Sequence, residues 1–173
     1  MTKAVFLDRD GTINEEVDYL HECHKMKFIP GTREALRLLK EKGYLLIVIT
    51  NQSGVGRGYY PLEDVERLHR YMNELLREDG AEIDRFYCCP HVEEDKCSCR
   101  KPATGLYLKA QQDFDIDLRQ SYMVGDKVTD ILAAKELGCG VGLLFSGHTI
   151  SEAYRKQYKK DCYRNLLEFA RAL

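Results

Sequence analysis

No stretch of this sequence approaches the roughly 18 consecutive apolar residues that a membrane span requires, and Met1-Thr2-Lys3 leads straight into a short apolar run without a signal-peptide h-region. Those two absences argue against membrane insertion and secretion, so a cytoplasmic enzyme with no membrane partner is expected. An excess of positive charge is missing too: 26 Lys and Arg stand against 28 Asp and Glu, a formal net charge of −2. No overall basic field is available to hold nucleic acid, and any anion must be bound by local placement of charge. Repeats, low-complexity tracts and proline-rich linkers are also absent. With no mark of a boundary, residues 1–173 are expected to form a single domain with a core of its own, acting as a monomer.

Cysteine, by contrast, is plentiful. Seven are present, an odd number, and Cys88, Cys89, Cys97 and Cys99 fall within twelve positions, a poor disulfide framework and a better sign of metal. Cys89, His91, Cys97 and Cys99 bring three thiols and an imidazole into eleven positions. That is the donor set of a closed, structural Zn²⁺ site, carried by a loop over residues 88–101. The spacing departs from the zinc-finger C-x₂₋₄-C, and scattered free thiols are the competing reading. Cys88 falls on a predicted strand, and Cys23, Cys139 and Cys162 lie far off in sequence; these four are expected to be core or surface thiols.

Apolar runs at 4–7, 45–49, 122–124 and 141–145 suit buried parallel strands, with weaker candidates at 85–88 and 161–163. Helical spacing fills the intervals. Residues 33–42 place Ala35, Leu36, Leu38 and Leu39 on one face, with Gly43 as a stop. From Pro61 at a first helical position, Leu62, Val65, Leu68, Met72, Leu75 and Leu76 recur at spacings of three and four through Glu78. Further helices are expected after Thr104, over 130–137 before Gly138, and over 166–172 behind Asn165. The alternation predicts an α/β fold: a Rossmann-like, doubly wound, mostly parallel sheet with helices on both faces. Three long connections, 14–30, 52–60 and 89–103, have the length at which ordered loops tend to carry function.

Each strong strand is followed by groups suited to phosphate chemistry. After Leu7 comes Asp8-Arg9-Asp10-Gly11-Thr12. A side-chain period of two lets both carboxylates face one space beyond the strand's C-terminal end, where open α/β sheets bind ligands. Asp10-Gly11 equally suits a plain turn. The second strand runs into Thr50-Asn51-Gln52-Ser53-Gly54, whose hydroxyl and N–H groups can hold phosphate oxygens or form an ST-turn. Arg100-Lys101-Pro102 leaves the cysteine cluster and offers cations for a phosphoryl group, although a short basic run is also ordinary surface. The strand 122–124 leads to Gly125-Asp126-Lys127 and, one helical turn on, Asp130. A carboxylate there can complete a Mg²⁺ site with Asp8 or simply serve a helix N-terminus.

Taken in chain order, Asp-x-Asp-Gly-Thr, apolar-Thr-Asn, Lys-Pro and Gly-Asp-x-x-x-Asp resemble the haloacid-dehalogenase-like phosphatases, and the resemblance runs from Lys3 to about Gly147. It implies phosphomonoester hydrolysis with Asp8 as the nucleophile that forms an aspartyl-phosphate and Asp10 as general acid, then base. It further implies Mg²⁺ held by Asp8, Asp126 and the Asp10 carbonyl, with Lys127 in its neighbourhood, and Thr50 and Lys101 on the phosphoryl oxygens. Asp130 is expected to orient Lys127 or a metal-bound water. Neither interval that carries a cap domain in larger members has room for one here, so specificity must come from loops.

A zinc loop on a cap-less chain narrows the resemblance to two families, the D-glycero-D-manno-heptose 1,7-bisphosphate 7-phosphatases and the histidinol-phosphate phosphatases. Asp8 to Asn14, Tyr19-Leu20-His21, Thr50 to Gly54 with Arg57-Gly58, and Tyr122 to Lys127 favour the first. Histidinol enzymes more typically carry Asp in place of Ser53, while the five-residue gap between His91 and Cys97 is also familiar from them. The first resemblance implies a small phosphorylated sugar as substrate, with contacts at Glu16, Val17, Asp18, Tyr19, Asn51, Gln52 and Ser53. Arg57 or Arg100 would pair with a second phosphate. An inactive, zinc-stabilised binding module is a third reading, and it leaves the joint presence of Asp8, Asp10, Thr50, Lys101 and Asp126 unexplained.

Overall fold

The computed structural model describes residues 1–145 and 151–173, so the expected end of the resemblance near Gly147 lies outside the described residues. Among the described residues six strands are formed, β1 (Ala4–Leu7), β2 (Leu45–Asn51), β3 (Arg85–Cys89), β4 (Tyr122–Gly125), β5 (Gly140–Leu144) and β6 (Cys162–Tyr163). They make one sheet in the order β3-β2-β1-β4-β5-β6, every pairing parallel. The helices are α1 (Thr32–Glu41), α2 (Ser53–Gly56), α3 (Leu62–Arg77), α4 (Gly105–Phe114), α5 (Val128–Leu137), α6 (Glu152–Gln157) and α7 (Leu166–Ala172).

Alternation along each strand divides the core into two layers. Val5, Leu7, Leu46 and Val48 point to one face, where they meet Leu36 and Leu39 of α1, Leu68 and Met72 of α3, and Phe169 of α7. Ala4, Phe6, Ile47 and Ile49 point to the other, against Tyr107 and Ala110 of α4 and Ala133 and Ala134 of α5. All four residues of β1 are fully buried, as a central strand covered on both faces must be. Each fully buried Leu or Ile of these layers contributes about 1.5–3 kcal/mol.

The strand order reverses direction between β1 and β4, which are hydrogen-bonded neighbours with Leu7 opposite Val124. At such a switch point the connections leaving the two strands go to opposite faces and open a crevice at their C-terminal ends. The connections after β1, β2 and β3 emerge at that same end because the strands are parallel. They are the three long loops singled out in the sequence.

Several boundaries differ from expectation for identifiable reasons. β2 continues through Thr50 and Asn51, because their backbones pair with Cys88 and Cys89 whatever their side chains are. Cys89 is accordingly the last residue of β3 rather than the first of a loop. Pro61 precedes α3 in an extended conformation (φ −78°, ψ 160°) and is not its first helical residue; the fixed φ of proline suits either position. α5 begins at Val128, two residues early, which puts Asp130 in its first turn. The short α2 went unforeseen because two of its four residues are glycine, and α6 because it carries no apolar stripe. Between Asp10 and the start of β2 the described residues hold only a 3₁₀ turn at Cys23–Lys25 and α1, so this interval carries no cap layer.

Candidate active site

Asp8 follows β1, Asp126 follows β4, and Asp130 lies one turn into α5, so the switch point itself collects three carboxylates. All three are buried, and one oxygen of each lies within 4.8 Å of the others. Two glycines make room. A Cβ on Gly11 would sit 2.2 Å from Asp126 Oδ2, and Gly11 also has φ +83°, a left-handed backbone that side chains disfavour. A Cβ on Gly125 would lie 2.1 Å from Asp130 Oδ2. The Asp-Gly dipeptide is therefore a turn and a packing requirement of the carboxylate cluster at once.

Lys101 enters this cluster from the loop after β3. Its buried Nζ donates to Asp8 Oδ1 at 2.9 Å and to the Ile49 carbonyl oxygen at 2.7 Å, and forms an ion pair with Asp130 Oδ1 at 2.9 Å. Burial works to raise the Asp8 pKa, but the charges of Lys101 and then Lys127 outweigh it and hold the carboxyl below its ordinary value. At Asp126 burial, followed by the charge of Asp8, pushes the pKa up to about 8; the charge of Lys127 works to lower it but is outweighed. Asp130 is pushed up to about 6 by burial, with Lys101 opposing. Three carboxylates here exceed what the site's own cations can keep ionised, and Asp8 Oδ2 is buried without a hydrogen-bond partner. An all-oxygen donor set with excess negative charge fits a hard divalent cation.

Asp10 turns away from that cluster. Its carboxylate accepts hydrogen bonds from Asn14 Nδ2 (2.9 Å), Gln52 Nε2 (3.0 Å) and the Arg9 guanidinium. Gln52 also donates to Thr50 Oγ1 at 2.9 Å and accepts from the Tyr60 hydroxyl at 3.1 Å. Burial pushes the Tyr60 pKa up to about 12, which keeps that hydroxyl a donor.

Beside Asp10 an open cleft of about 380 Å³ is lined by Glu16, Val17, Asp18, Tyr19, Leu20, Asn51, Gln52, Ser53, Tyr60 and Lys127. The sugar-contact candidates of the first loop and the polar residues of the second thus share one wall-to-wall space. Tyr19 stands in a left-handed conformation (φ 53°), costly for an aromatic residue, and meets Tyr59 edge-on at 4.9 Å; His21 stacks on Tyr60 at 4.3 Å. A larger cavity of about 550 Å³ lies at the opposite end of the sheet, lined by residues such as Lys3, Lys40 and Asp84, and contains none of the carboxylates described above.

The four Cys and His side chains also converge. His91 Nδ1 lies 3.5 Å from Cys89 Sγ and 3.2 Å from Cys99 Sγ, and Cys97 Sγ is 3.6 Å from both other sulfurs, which approach one another to 2.7 Å. Ligand atoms about 2.3 Å from a central tetrahedral cation would be roughly 3.7 Å apart, a spacing that the set approaches in every pair named except Cys89 and Cys99. The cluster is tied to the carboxylates by a short path. Asn51 accepts from the Lys101 backbone N–H at 3.0 Å and donates to its carbonyl at 3.3 Å, fixing the backbone two residues beyond Cys99.

Known proteins agree with this geometry. A family model described as HAD-hydrolase-like matches residues 98–168. The D-glycero-beta-D-manno-heptose-1,7-bisphosphate 7-phosphatase of Haemophilus ducreyi is 48% identical over 143 residues, 79% of each chain. That of Pasteurella multocida is 44% identical over 164 residues, 91% of this chain and 89% of the relative. The chain belongs to this phosphatase family. Among solved structures, the D,D-heptose 1,7-bisphosphate phosphatase of B. bronchiseptica, complexed with magnesium and phosphate, superposes with a TM-score of 0.87 at 29% identity, covering 99% of this chain and 97% of that one.

Within the family frame, some expected residues stand elsewhere than the sequence suggested. Asp130 pairs with Lys101, and its Oδ2 accepts the Lys127 backbone N–H at 3.3 Å. Lys127 Nζ also reaches Glu16 at 3.8 Å. Arg57 is exposed beyond α2, and Arg100 donates to the His91 carbonyl at 3.4 Å; neither lines the cleft. Asn14, Arg9 and His69 were missed. Arg9 lies between the two aspartates and Asn14 ends the Asp8–Asn14 stretch, where neither was assigned a role, whereas His69 is sixty residues from Arg9 and carries no local signal.

Proposed function

We propose that the chain hydrolyses the 7-phosphate of D-glycero-beta-D-manno-heptose 1,7-bisphosphate. The observation that carries this reading is the Glu16–Tyr60 cleft that reaches Asp10, two residues from the buried Asp8 carboxylate, in a chain whose relatives of that name reach 48% identity. Asp8 attacks phosphorus and the bond to the sugar oxygen breaks, with the proton of Asp10 going to that oxygen. Water then attacks the aspartyl-phosphate, Asp10 takes its proton, and the Asp8–phosphorus bond breaks. Lys101 and Thr50 hold the phosphoryl oxygens. The carboxylates of Asp8 and Asp126 and the Asp10 carbonyl would hold Mg²⁺, which when bound supplies charge neutralisation and Lewis acidity. The sugar lies in the cleft, with Asp18 accepting from its hydroxyl groups.

Support for the bisphosphate is direct to test. Measured at saturating Mg²⁺, kcat/KM is expected to fall in the order heptose 1,7-bisphosphate, heptose 7-phosphate, histidinol phosphate. The short gap between His91 and Cys97 makes the last the relevant competitor. A preference for histidinol phosphate would reject the sugar reading and with it any contact of Arg57 or Arg100 with a second phosphate.

Cys89, His91, Cys97 and Cys99 are proposed to hold one structural Zn²⁺, whose purpose is to fix the loop that delivers Lys101. Elemental analysis of chelator-washed protein is expected to find about one zinc per chain, as four closed N/S ligands bind it tightly. Cys97→Ser should lose most of it. Metal-free wild type that keeps full activity and thermal stability would sink this assignment.

A further inference from the structure

We propose that His69 is a positioning residue for Asp10, acting through Arg9; the proposal rests on the reading of Asp10 as proton donor to the leaving oxygen. Arg9 is the largest fully buried side chain among the described residues, and a scheme of two carboxylates and a lysine makes no use of it. Its Nε donates to Asp10 Oδ1 at 3.1 Å, and its Nη2 lies 3.0 Å from both Asp10 oxygens and from the Leu20 carbonyl. The remaining edge, Nη1, is 3.2 Å from His69 Nε2.

A guanidinium can only donate, so His69 Nε2 must carry the lone pair and the ring must be neutral, with its proton on Nδ1. Burial and then the charge of Arg9 hold the imidazole well below its usual pKa, in keeping with that state. The ring itself is fixed by stacking on Phe86, centroids 4.2 Å apart and planes 13° from parallel. From β3 to the site there is thus one unbroken path: Phe86 sets the imidazole plane, His69 sets the guanidinium plane, and Arg9 sets the carboxylate of Asp10. Asn14 and Gln52 complete the hold from the other side.

This role has a signature that a merely structural one lacks. In the first half-reaction the proton from Asp10 matters for a sugar alkoxide, which leaves poorly, and hardly for p-nitrophenolate, which leaves unaided. The quantity kcat/KM reports that half-reaction alone. His69→Phe keeps the ring and its stack but removes the acceptor. Its kcat/KM for the heptose bisphosphate is expected to fall about ten- to a hundredfold at little-changed KM, and that for p-nitrophenyl phosphate by no more than about threefold. His69→Gln, whose amide oxygen can accept from Arg9, should recover most of the loss. His69→Leu replaces the Phe variant if circular dichroism finds the latter unfolded. Equal losses on both substrates, or no loss on either, would overturn the proposal, as would failure of both apolar variants to fold. Wild type inert toward both phosphates would instead reject the phosphatase reading on which it rests, without recourse to any variant.

Discussion

Asp8→Asn is expected to lower phosphate release by at least about 10⁴-fold, roughly 5.5 kcal/mol of transition-state stabilisation, since an amide cannot form the aspartyl-phosphate. The substitution is nearly isosteric and falls at the end of a strand whose own four residues are packed by apolar neighbours. Loss of the Asp8–Lys101 pair is softened because Lys101 keeps Asp130 and the Ile49 carbonyl. It is further offset by relief of the repulsion that Asp8 exerts on Asp126 and Asp130. The thermal midpoint should therefore move little, and zinc content should not move at all. Phosphate release at saturating Mg²⁺, with a melting curve and metal analysis on the same sample, checks all three. An Asp8→Asn protein that turns over at the wild-type rate would end the nucleophile assignment.

How much of this was legible in the sequence follows from how local each signal is. The strands could be read because a fully buried parallel strand needs apolar residues on both faces, and β1 and β2 supply them without interruption. Asp8, Lys101 and Asp126 could be placed together because a parallel sheet sends every strand's C-terminal end to the same edge. The zinc-type ligands lie within eleven residues and announce themselves by composition. The partner of Asp130 could not be read: choosing between Lys101 and Lys127 depends on how the loop after β3 descends beside β2, a matter of tertiary packing. His69 was hidden more thoroughly. It occupies an apolar position of α3 between Leu68 and Met72, where the helical pattern leaves a polar gap, while Leu62, expected on that face, remains exposed. A buried histidine interrupting an apolar stripe was the one available signal, and it names no partner.

Lys101→Met should cost about 10³-fold in kcat/KM and, in Mg²⁺-free buffer, about 3–5 kcal/mol of stability. Methionine matches the lysine stem in length, so packing is kept while the charge is lost. Asp8 and Asp130 would then lose the cation 2.9 Å from each, in a pocket where Lys101 is fully enclosed. The balance of burial and pairing already runs in the lysine's favour: burial alone would lower its pKa, yet Asp130 and then Asp8 raise it above the ordinary value. Those same two carboxylates are what the methionine would strand. Protonation of Asp130 would limit the damage, which is why the stability loss should stay near the lower bound for an unpaired buried charge at slightly acidic pH and grow as pH rises. Added Mg²⁺ should restore part of the melting temperature by compensating Asp8, but not the activity, because the developing charge on the phosphoryl oxygens would still lack its cation. Lys101→Arg should not rescue turnover, since a planar guanidinium cannot bring one charged atom within about 3 Å of Asp8, Asp130 and the Ile49 carbonyl together. Zinc content should be unchanged in both variants, as Asn51 grips the backbone of residue 101 and not its side chain. A Lys101→Met protein losing less than about tenfold in kcat/KM would show that the phosphoryl charge is met elsewhere, and Lys127, exposed at the cleft, would be the group to examine next.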